Sequence, residues 1–292
     1  MKSISSKILD GRKLRNRLTP KLIESIRGIP VKPKLVIVQI GNQKGSSMYI
    51  RKKKLFARTI GALVVHKHYS KDVSEENVIS DIMRYNSDSS IHGIMVQLPI
   101  PAIFNASRII EAIDQKKDVD GLTAKSMKLL IDNHEGFIPA ALKGILTLLQ
   151  CYRVSLPGKK VVIVGDSLLI ARPAVPVFLN RGAIVTICHP QAEGLEKETK
   201  LADVLIVAAD QPRLVALDHV SKRHVVIDAG ATVVRSSARS GTSIVGDVEY
   251  KKVKTVVSAI SPVPGGIGPM IVFSLFENLV TACQSFTCKN SQ

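Results

Sequence analysis

The chain has 292 residues, of which 45% are hydrophobic, so it is long enough to bury one large core or two ordinary ones. This excludes a disordered or fibrous protein. Lys and Arg number 41 against 24 Asp and Glu, and the formal net charge of +17 implies a surface that attracts nucleic acid, an anionic membrane or an acidic small molecule. Aromatic residues make up only 4%, with no Trp, so the stacking surfaces of single-strand nucleic-acid binders are scarce.

The cysteines and the apolar runs indicate the cellular compartment in which the protein is expected. Cys151, Cys188, Cys283 and Cys288 form no Cys-x-x-Cys pair and have no His at metal-ligand spacing, so we expect neither disulfides nor a metal site. The first residues lack the apolar segment of a signal peptide, and no run reaches about 18 uninterrupted apolar residues. We therefore expect a cytoplasmic protein in a reducing compartment, with no membrane partner.

Strand-length apolar runs alternate with segments of helical period along the first half, a pattern typical of a parallel sheet with crossover helices. The pattern predicts strands at 34–40, 63–69 and 92–98 and helices at about 46–60 and 74–86. These elements form a βαβαβ unit, and a helix at about 139–149 leads out of it.

A second alternating series begins at about residue 160. Strands are predicted at 161–164, 184–188, 204–208, 225–228 and about 256–260, followed by an apolar helix at 271–283. The sequence thus predicts a two-domain α/β fold with a ligand-binding cleft between the domains. The N-terminal βαβ catalytic domain is expected at 1–143, the C-terminal Rossmann-like dinucleotide-binding domain at 144–269, and a C-terminal helix, 270–292, is expected to pack back on the first domain.

Three segments of the first half place reactive side chains near strand ends. Tyr49 and Lys53 are four residues apart on a predicted helix, so they share one face, although a run of basic residues is also typical of a solvated face. Gln97 is expected at the carboxyl end of a buried strand that two prolines stop, although an ordinary capped strand end has the same pattern. Asp118 and Asp120 are expected on one side of an extended segment, although turns carry Asp for local backbone bonding too.

Two glycine-containing loops mark the second half. Residues 164–173 are similar to a dinucleotide-binding loop, but only Gly165 of the G-x-G-x-x-G pattern is present, with Ser167 and Ala171 where glycine is expected. Residues 261–270 form a loop rich in Pro and Gly that lets a ligand approach the backbone closely and leads into a helix N-terminus.

In this order, the five segments resemble the methylenetetrahydrofolate dehydrogenase/cyclohydrolase family, from about residue 8 to about residue 283. The most specific pieces are Tyr-Ile-Arg-Lys-Lys at 49–53, Val-Gln-Leu-Pro at 96–99, Lys-Asp-Val-Asp-Gly at 117–121 and Pro-Val-Pro-Gly-Gly-Ile-Gly-Pro-Met at 262–270. The resemblance implies NAD(P)-dependent oxidation of 5,10-methylenetetrahydrofolate to 5,10-methenyltetrahydrofolate and hydrolysis of that product to 10-formyltetrahydrofolate. The resemblance also implies a place in the one-carbon metabolism that supplies purine biosynthesis. Because the match begins near residue 8, we also expect no cleavable transit peptide.

The resemblance assigns roles to matching positions. Lys53 is implied as the general acid/base, and burial beside a cationic methenyl group is expected to lower its pKa toward the working pH. Gln97 is implied to orient Lys53, Tyr49 to lie along the folate rings, and Asp120 to accept hydrogen bonds from the pterin. The remaining expected substrate-binding residues are Val96, Leu98, Pro264, Gly265 and Gly266. The expected cofactor-binding residues are Gly165, Asp166, Ser167, Arg172, His189 and Ala231.

Departures from the family pattern fall mainly on the cofactor side. Asp166 stands where the family often has an Arg that serves the 2′-phosphate of NADP. A carboxylate about 4 Å from that phosphate would cost on the order of several kcal/mol at an effective dielectric of about 20. Other departures are Ala171 and Asp210 at expected glycines, Ile271 at an expected threonine, and residues 229–232. We therefore expect an intact folate site, NADP as cofactor with a shift toward NAD, and no metal.

Three alternatives remain open at this point. One is a cyclohydrolase with weak or NAD-shifted dehydrogenase activity. Another is a nucleic-acid-binding protein on the same scaffold, supported only by the net charge, since no RNA or DNA motif accompanies it. The third is a catalytically silent Rossmann-like module that senses a nucleotide. The expected partners are tetrahydrofolate derivatives, including polyglutamylated forms that basic residues 52–54 would attract, and a second copy in a homodimer, with no nucleic acid.

Overall fold

A computed structural model describes residues 7–235 and 242–289. The chain divides into two compact units. The three-stranded unit comprises residues 16–140 and the chain from 272 onward, and the six-stranded unit comprises the chain up to residue 15 together with 141–271. The domain boundaries drawn from the sequence at 143 and 269 stay a prediction, and they differ from this division in assigning the first 15 residues to the first domain.

The elements follow one another along both units as an alternating α/β series. In chain order they are β1 (Lys7–Ile8), α1 (Gly11–Arg27), β2 (Lys34–Ile40), α2 (Lys44–Ile60), β3 (Leu63–Tyr69), α3 (Glu75–Ser87), β4 (Gly93–Val96), α4 (Ala106–Glu111), α5 (Ala124–Ile131), α6 (Ala140–Cys151), β5 (Lys160–Val164), α7 (Ala171–Leu179), β6 (Ile184–Cys188), α8 (Leu195–Lys200), β7 (Val204–Val207), β8 (Val225–Asp228), β9 (Thr232–Arg235), β10 (Thr242–Val245), α9 (Tyr250–Val253), β11 (Ala259–Ile260) and α10 (Ile267–Lys289). Single 3-10 turns lie at Gln115–Lys117 and Leu217–His219.

The three-stranded unit is built on a parallel sheet in the order β3-β2-β4. β2 pairs with β3 from Lys34 opposite Leu63 to Ile40 opposite Tyr69, and on its other edge it pairs with β4. Apart from its first residue, β2 is buried along its length, which explains its nearly unbroken apolar sequence. The predicted βαβαβ unit is confirmed.

The six-stranded unit carries a parallel sheet in the order β1-β11-β8-β7-β5-β6, and β9 and β10 pair as a separate antiparallel two-stranded sheet. The strands predicted at 184–188 and 225–228 are confirmed to the residue. The strand predicted at 256–260 was too long, because the chain turns at 254–258 and only Ala259–Ile260 pair with a neighbour. β1 pairs in parallel with β11, which is why the start of the chain belongs to this unit.

Helix α10 begins four residues earlier than predicted, at Ile267 inside the Pro/Gly loop. Within the three-stranded unit, Phe273 and Phe276 of α10 pack against the ring of Phe56 on α2, at centroid distances of 6.2 and 5.7 Å. By length and composition alone the stretch Ile267–Thr287 would suffice to cross a membrane, but 67% of its best apolar window is buried, as in a core helix.

Candidate active site

Helix α2 carries Lys53 and Tyr49 into the three-stranded unit one helical turn apart. The helix starts just beyond Gly41, whose φ of 73° gives the sharp turn out of β2, and it ends at Gly61 in the left-handed region. Lys53 is only 5% exposed, whereas Tyr49 is half-buried and has the ammonium group of Lys52 5.1 Å from its ring centre. The helix therefore buries an ammonium group beside an accessible aromatic ring.

A short hydrogen bond joins Lys53 to Gln97, the residue that follows β4. Lys53 Nζ donates to Gln97 Oε1 at 2.7 Å. Gln97 Nε2 donates to the carbonyl of Leu98 at 2.8 Å, and the backbone N–H of Gln97 donates to the carbonyl of Val38. Both ends of the amide are thereby fixed, with the oxygen toward Lys53. Val96 before it is buried in the sheet, and Leu98 after it is half-buried.

Asp120 is the charged partner of Lys53. Burial lowers the pKa of Lys53 to about 8, against the opposing attraction of the Asp120 carboxylate. Burial likewise raises the pKa of Asp120 to about 6, with Lys53 acting against the rise and Asp118 adding to it. The two groups thus titrate on either side of neutral pH. Buried acid and base groups with such shifted pKa values are typical of catalytic sites.

The neighbouring Asp118 has a different task from Asp120. Its side chain is 1% exposed and accepts hydrogen bonds from the backbone N–H groups of Gly121, Leu122 and Thr123 and from the hydroxyl of Ser126. The expectation of an extended segment with both carboxylates on one side was wrong. A 3-10 turn precedes Asp118, and the chain turns again at Gly121, with φ 72°. Asp three residues before a turn glycine was the signal that could have revealed this.

The first turn of α2 contains a residue to which the sequence analysis gave no role. Ser46 is 3% exposed, and its Oγ has no hydrogen-bond partner among the described residues. The same holds for Oε1 of Gln43 at the helix start. Ser46 lies seven residues before Lys53, so two helical turns place both on one face.

In the six-stranded unit, a glycine turn joins the end of β5 to α7. Gly165 has φ 131°, and a Cβ built on it would overlap the carbonyl of Ala208, so only glycine fits. Ser167 accepts the N–H of Leu169 on its Oγ and the N–H of Arg172 on its carbonyl. Asp166 and Arg172 are both exposed at this turn. A strand, a glycine turn and a helix N-terminus suit the phosphates of a dinucleotide.

The other expected ligand-binding residues of this unit lie on separate loops. His189 is exposed after β6, where its Nδ1 accepts the N–H of Gln191, and Ala231 is half-buried before β9. Gly265 accepts the N–H of Arg12 on its carbonyl, Gly266 is buried, and Pro264 is exposed. The structure thus brings Lys53, Gln97 and Asp120 together in one unit and carries the Gly165 and 264–266 loops on the other. Between residues 7–235 and 242–289, no three His, Cys, Asp or Glu side chains are grouped to hold a metal ion.

These features define a two-domain α/β enzyme in which a buried lysine site accompanies a Rossmann-like unit for a dinucleotide. Comparison with protein families specifies which one. Residues 9–120 match the catalytic domain of tetrahydrofolate dehydrogenase/cyclohydrolase, and residues 139–287 match its NAD(P)-binding domain. The chain belongs to the tetrahydrofolate dehydrogenase/cyclohydrolase family.

Individual relatives agree along nearly the whole chain. The bifunctional protein FolD of Latilactobacillus sakei is 36% identical over 276 residues, which cover 94% of this chain and 96% of that protein. The crystal structure of the bifunctional FolD enzyme of Campylobacter jejuni has a TM-score of 0.90 at 33% identity, covering 96% of this chain and 99% of that one. A Trypanosoma brucei FolD structure, a complex with NADP and an inhibitor, has a TM-score of 0.91 at 28% identity, with 96% and 98% covered. The predicted family, α/β architecture and bifunctional folate activity are confirmed.

Proposed function

We propose that Lys53, Gln97, Asp120 and Tyr49 carry the hydrolysis of 5,10-methenyltetrahydrofolate, and that the Gly165 turn serves its formation by NAD(P)-dependent oxidation. The buried hydrogen bond between Lys53 and Gln97 is the observation that carries this proposal. An ammonium group held at a fixed amide oxygen, with a pKa of about 8, is suited to exchange protons near neutral pH.

Lys53 would act first as base and then as acid. At pH 7 about a tenth of a group with this pKa is neutral, and its nitrogen can take a proton from the water that attacks the methenyl carbon. As the carbon–nitrogen bond breaks, the resulting ammonium returns the proton to the ring nitrogen. The hydroxyl group left by the attacking water loses its own proton to solvent as the carbonyl forms, which leaves 10-formyltetrahydrofolate. A cationic methenyl group beside Lys53 would lower the pKa of Lys53 further. Asp120 would accept hydrogen bonds from the pterin while ionised, and Tyr49 would lie along the rings.

The oxidation needs alignment rather than a protein base. When bound, the nicotinamide cofactor supplies the hydride acceptor. Gly165 lets the backbone approach the pyrophosphate, while the Ser167 hydroxyl and the exposed Arg172 guanidinium are suited to hold phosphate oxygens. His189 and Ala231 are proposed to complete the cofactor site, and Val96, Leu98, Pro264, Gly265 and Gly266 the folate site.

Replacing Lys53 by Met tests the hydrolytic role. We expect Lys53→Met to lower methenyl hydrolysis by at least about 100-fold, the usual contribution of a general acid/base, followed as loss of methenyl absorbance without nicotinamide cofactor. Lys125→Met, at an exposed lysine of α5, is the matched control and should hydrolyse normally. Substantial hydrolysis by a folded Lys53→Met protein, judged by circular dichroism, would overturn the assignment.

Cofactor preference is the finer part of the proposal. We infer that Asp166 disfavours the 2′-phosphate of NADP by charge repulsion and shifts the enzyme toward NAD. Asp166→Arg should lower the KM for NADP by at least about tenfold and leave the KM for NAD within about threefold. Asp218→Arg, at an exposed aspartate of the same unit, controls for added charge. Efficient NADP reduction by the unaltered enzyme, with a low micromolar KM, would contradict the inference.

Partners and compartment complete the proposal. Lys52 and Lys54 flank Lys53 on α2, and their charge supports binding of polyglutamylated folates. Lys52→Ala should then raise the KM of a pentaglutamate substrate more than that of the monoglutamate. We also propose a cytoplasmic homodimer that supplies purine biosynthesis with one-carbon units. Sedimentation equilibrium at micromolar concentration decides between monomer and dimer.

A further inference from the structure

Two buried aspartates of the six-stranded unit have no part in the chemistry above. Asp228 ends β8 and is 2% exposed, and Asp247 follows β10 and is fully buried. Each carboxyl group lies over a glycine of the other's segment. A Cβ built on Gly230 would overlap the Asp247 carboxyl group, and one on Gly246 would overlap that of Asp228. A side chain at either position would displace a buried carboxyl group, so each glycine leaves room for the carboxyl group that packs against it.

The hydrogen bonds of the pair leave one oxygen without a donor. Asp228 Oδ1 accepts the N–H groups of Gly230 and Asp247, and its Oδ2 accepts that of Val248. Asp247 Oδ2 accepts the N–H of Ala209 at 2.7 Å. Asp247 Oδ1 is buried and has no partner in the part of the chain that the structure describes. A proton on this oxygen would remove one of two like charges, and like charges in a dry site are costly.

Asp247 also holds the turn that follows β7. Its Oδ2 binds the backbone N–H of Asp210, at 2.9 Å, in addition to that of Ala209, so it holds the first residues of the turn beyond β7. The preceding residue, Ala208, is the one whose carbonyl lies against Gly165. The turn held by Asp247 therefore adjoins the glycine turn that we propose for cofactor binding.

Asp210 adds a feature particular to this chain. It occupies the position where the family resemblance expects glycine, and its φ is 52°, in the left-handed region that glycine favours. Its exposed carboxylate raises the pKa of Asp247, after burial, which is the larger cause. Burial also raises the pKa of Asp228, to about 7, with repulsion from Asp247 adding to it. Asp210 thus adds a negative charge beside two buried carboxyl groups.

We propose that Asp247 is a positioning residue for cofactor binding and holds the turn at residues 209–211 in place while the buried pair that it forms with Asp228 retains one proton. This rests on the proposed role of the Gly165 turn. With one proton in the pair, a single negative charge accepts the backbone N–H groups. Loss of that proton leaves two buried carboxylates beside Asp210, and their repulsion moves the turn away from Gly165 and weakens dinucleotide binding.

The proton retained by the pair is tested without cofactor or activity. In protein labelled with 13C at the aspartate carboxyl carbons, we expect a carboxyl signal that titrates with a midpoint near pH 7. Its titration should move to lower pH in Asp247→Asn, which distinguishes it from Asp120, whose pKa of about 6 should stay unchanged. If Asp228 and Asp247 both finish titrating below pH 5, the proposal is overturned.

The positioning role is tested by calorimetry with NAD and with NADP from pH 6 to 8.5. For the unaltered protein we expect Kd to rise between about 3-fold and about 30-fold over this range, the larger value being the limit for one linked proton with a midpoint near pH 7. Asp247→Asn keeps an acceptor oxygen and removes the charge, so its Kd should stay nearly constant. Asp247→Ala should raise Kd at least about tenfold at every pH, because the turn loses its acceptor.

Two further variants keep the outcomes distinct. Asp210→Gly should move the midpoint of the Kd profile to lower pH, because one repelling charge is gone, whereas the exposed Asp218→Asn should change nothing. A pH-independent Kd in the unaltered protein, or the same pH dependence in Asp247→Asn, would overturn the positioning role. Absence of dinucleotide binding at every pH would instead overturn the proposed cofactor site, and the carboxyl titration would still decide whether the pair retains a proton.

Discussion

Gln97 presents only its amide oxygen to Lys53, because its amide nitrogen is bound to the carbonyl of Leu98. Lys53 can donate to that oxygen whether its nitrogen is charged or neutral, since both forms carry N–H groups. The hydrogen bond therefore persists through proton transfer and keeps the nitrogen in one place. The neutral form retains a lone pair that can point elsewhere, toward the proton to be removed.

The pH dependence of methenyl hydrolysis follows from the pKa values of Asp120 and Lys53. We expect kcat/KM to rise through about pH 6, as Asp120 ionises and becomes an acceptor, and again through about pH 8, as Lys53 becomes neutral. The measurement is a pH series of methenyl absorbance decay, corrected for the reaction catalysed by Lys53→Met. A corrected rate that does not change between pH 5.5 and 8.5 would contradict both assignments.

Gln97→Glu should move the rise in kcat/KM near pH 8 to higher pH. A carboxylate opposite Lys53 favours the ammonium form, so the pKa of Lys53 rises and less neutral lysine is present near neutral pH. We expect hydrolysis at pH 7.5 to fall at least about tenfold and to recover partly at higher pH. Gln150→Glu, at an exposed glutamine near the end of α6, should behave like the unaltered enzyme. If kcat/KM of Gln97→Glu rises at the same pH as in the unaltered enzyme, the hydrogen bond does not control the pKa of Lys53.

Asp118→Ala should destabilise the three-stranded unit. The substitution removes the acceptor of three backbone N–H groups and of the Ser126 hydroxyl in a buried turn. We expect the free energy of unfolding, from urea titration followed by circular dichroism, to fall by about 3 kcal/mol. Asp132→Ala, which removes only an exposed ion pair with Lys128, should cost under about 1 kcal/mol. Equal effects of the two substitutions would contradict this account of the turn.

Gly165→Ala tests the close approach at the glycine turn. The added Cβ would overlap the carbonyl of Ala208 and would also force alanine to a φ of 131°, so the turn must move. We expect a Kd for dinucleotide at least about tenfold higher, measured by calorimetry. Gly158→Ala is the matched control, since it has a φ of 70° but open space around it, and should cost about 1 kcal/mol of stability without changing Kd. Similar Kd values for both variants would argue against the turn as a cofactor site.

The sequence predicted the helices and strands whose hydrophobic pattern is visible within a short window. The strands at 34–40 and 63–69 were located to the residue, because an apolar run and its flanking helices are visible in a short window. The pairing of β1 with β11 joins residues about 250 positions apart over only two residues, and no local pattern contains it. Length and periodicity therefore predicted the layers but not which sheet the start of the chain would join.

The same distinction applies to the candidate site. Tyr49 and Lys53 share a helix, so their spacing alone predicted a common face. The contact between Lys53 and Gln97 depends on tertiary structure, and only the family resemblance pointed to it. The sequence does not predict the pair of Asp228 and Asp247, because the two aspartates and the glycines that pack against them lie on different loops and meet only in the folded chain. The sequence shows Asp210 where glycine is expected, but the effect of Asp210 on the pKa of Asp247 depends on the geometry of the turn.

The chain passes between the two units three times, near residues 15, 140 and 271, and the first and last of these points lie inside α1 and α10. Neither unit is a continuous stretch of sequence, so no single cut releases either one whole. A fragment ending near residue 140 would lack the α10 residue Asn278, whose side chain bonds the carbonyls of Val119 and Ile138. A fragment starting there would lack the edge strand β1. Deletion of the chain up to residue 15 therefore removes part of the six-stranded unit alone, and deletion of the chain from residue 272 removes part of the three-stranded unit alone. Any longer truncation, from either end, leaves both units incomplete.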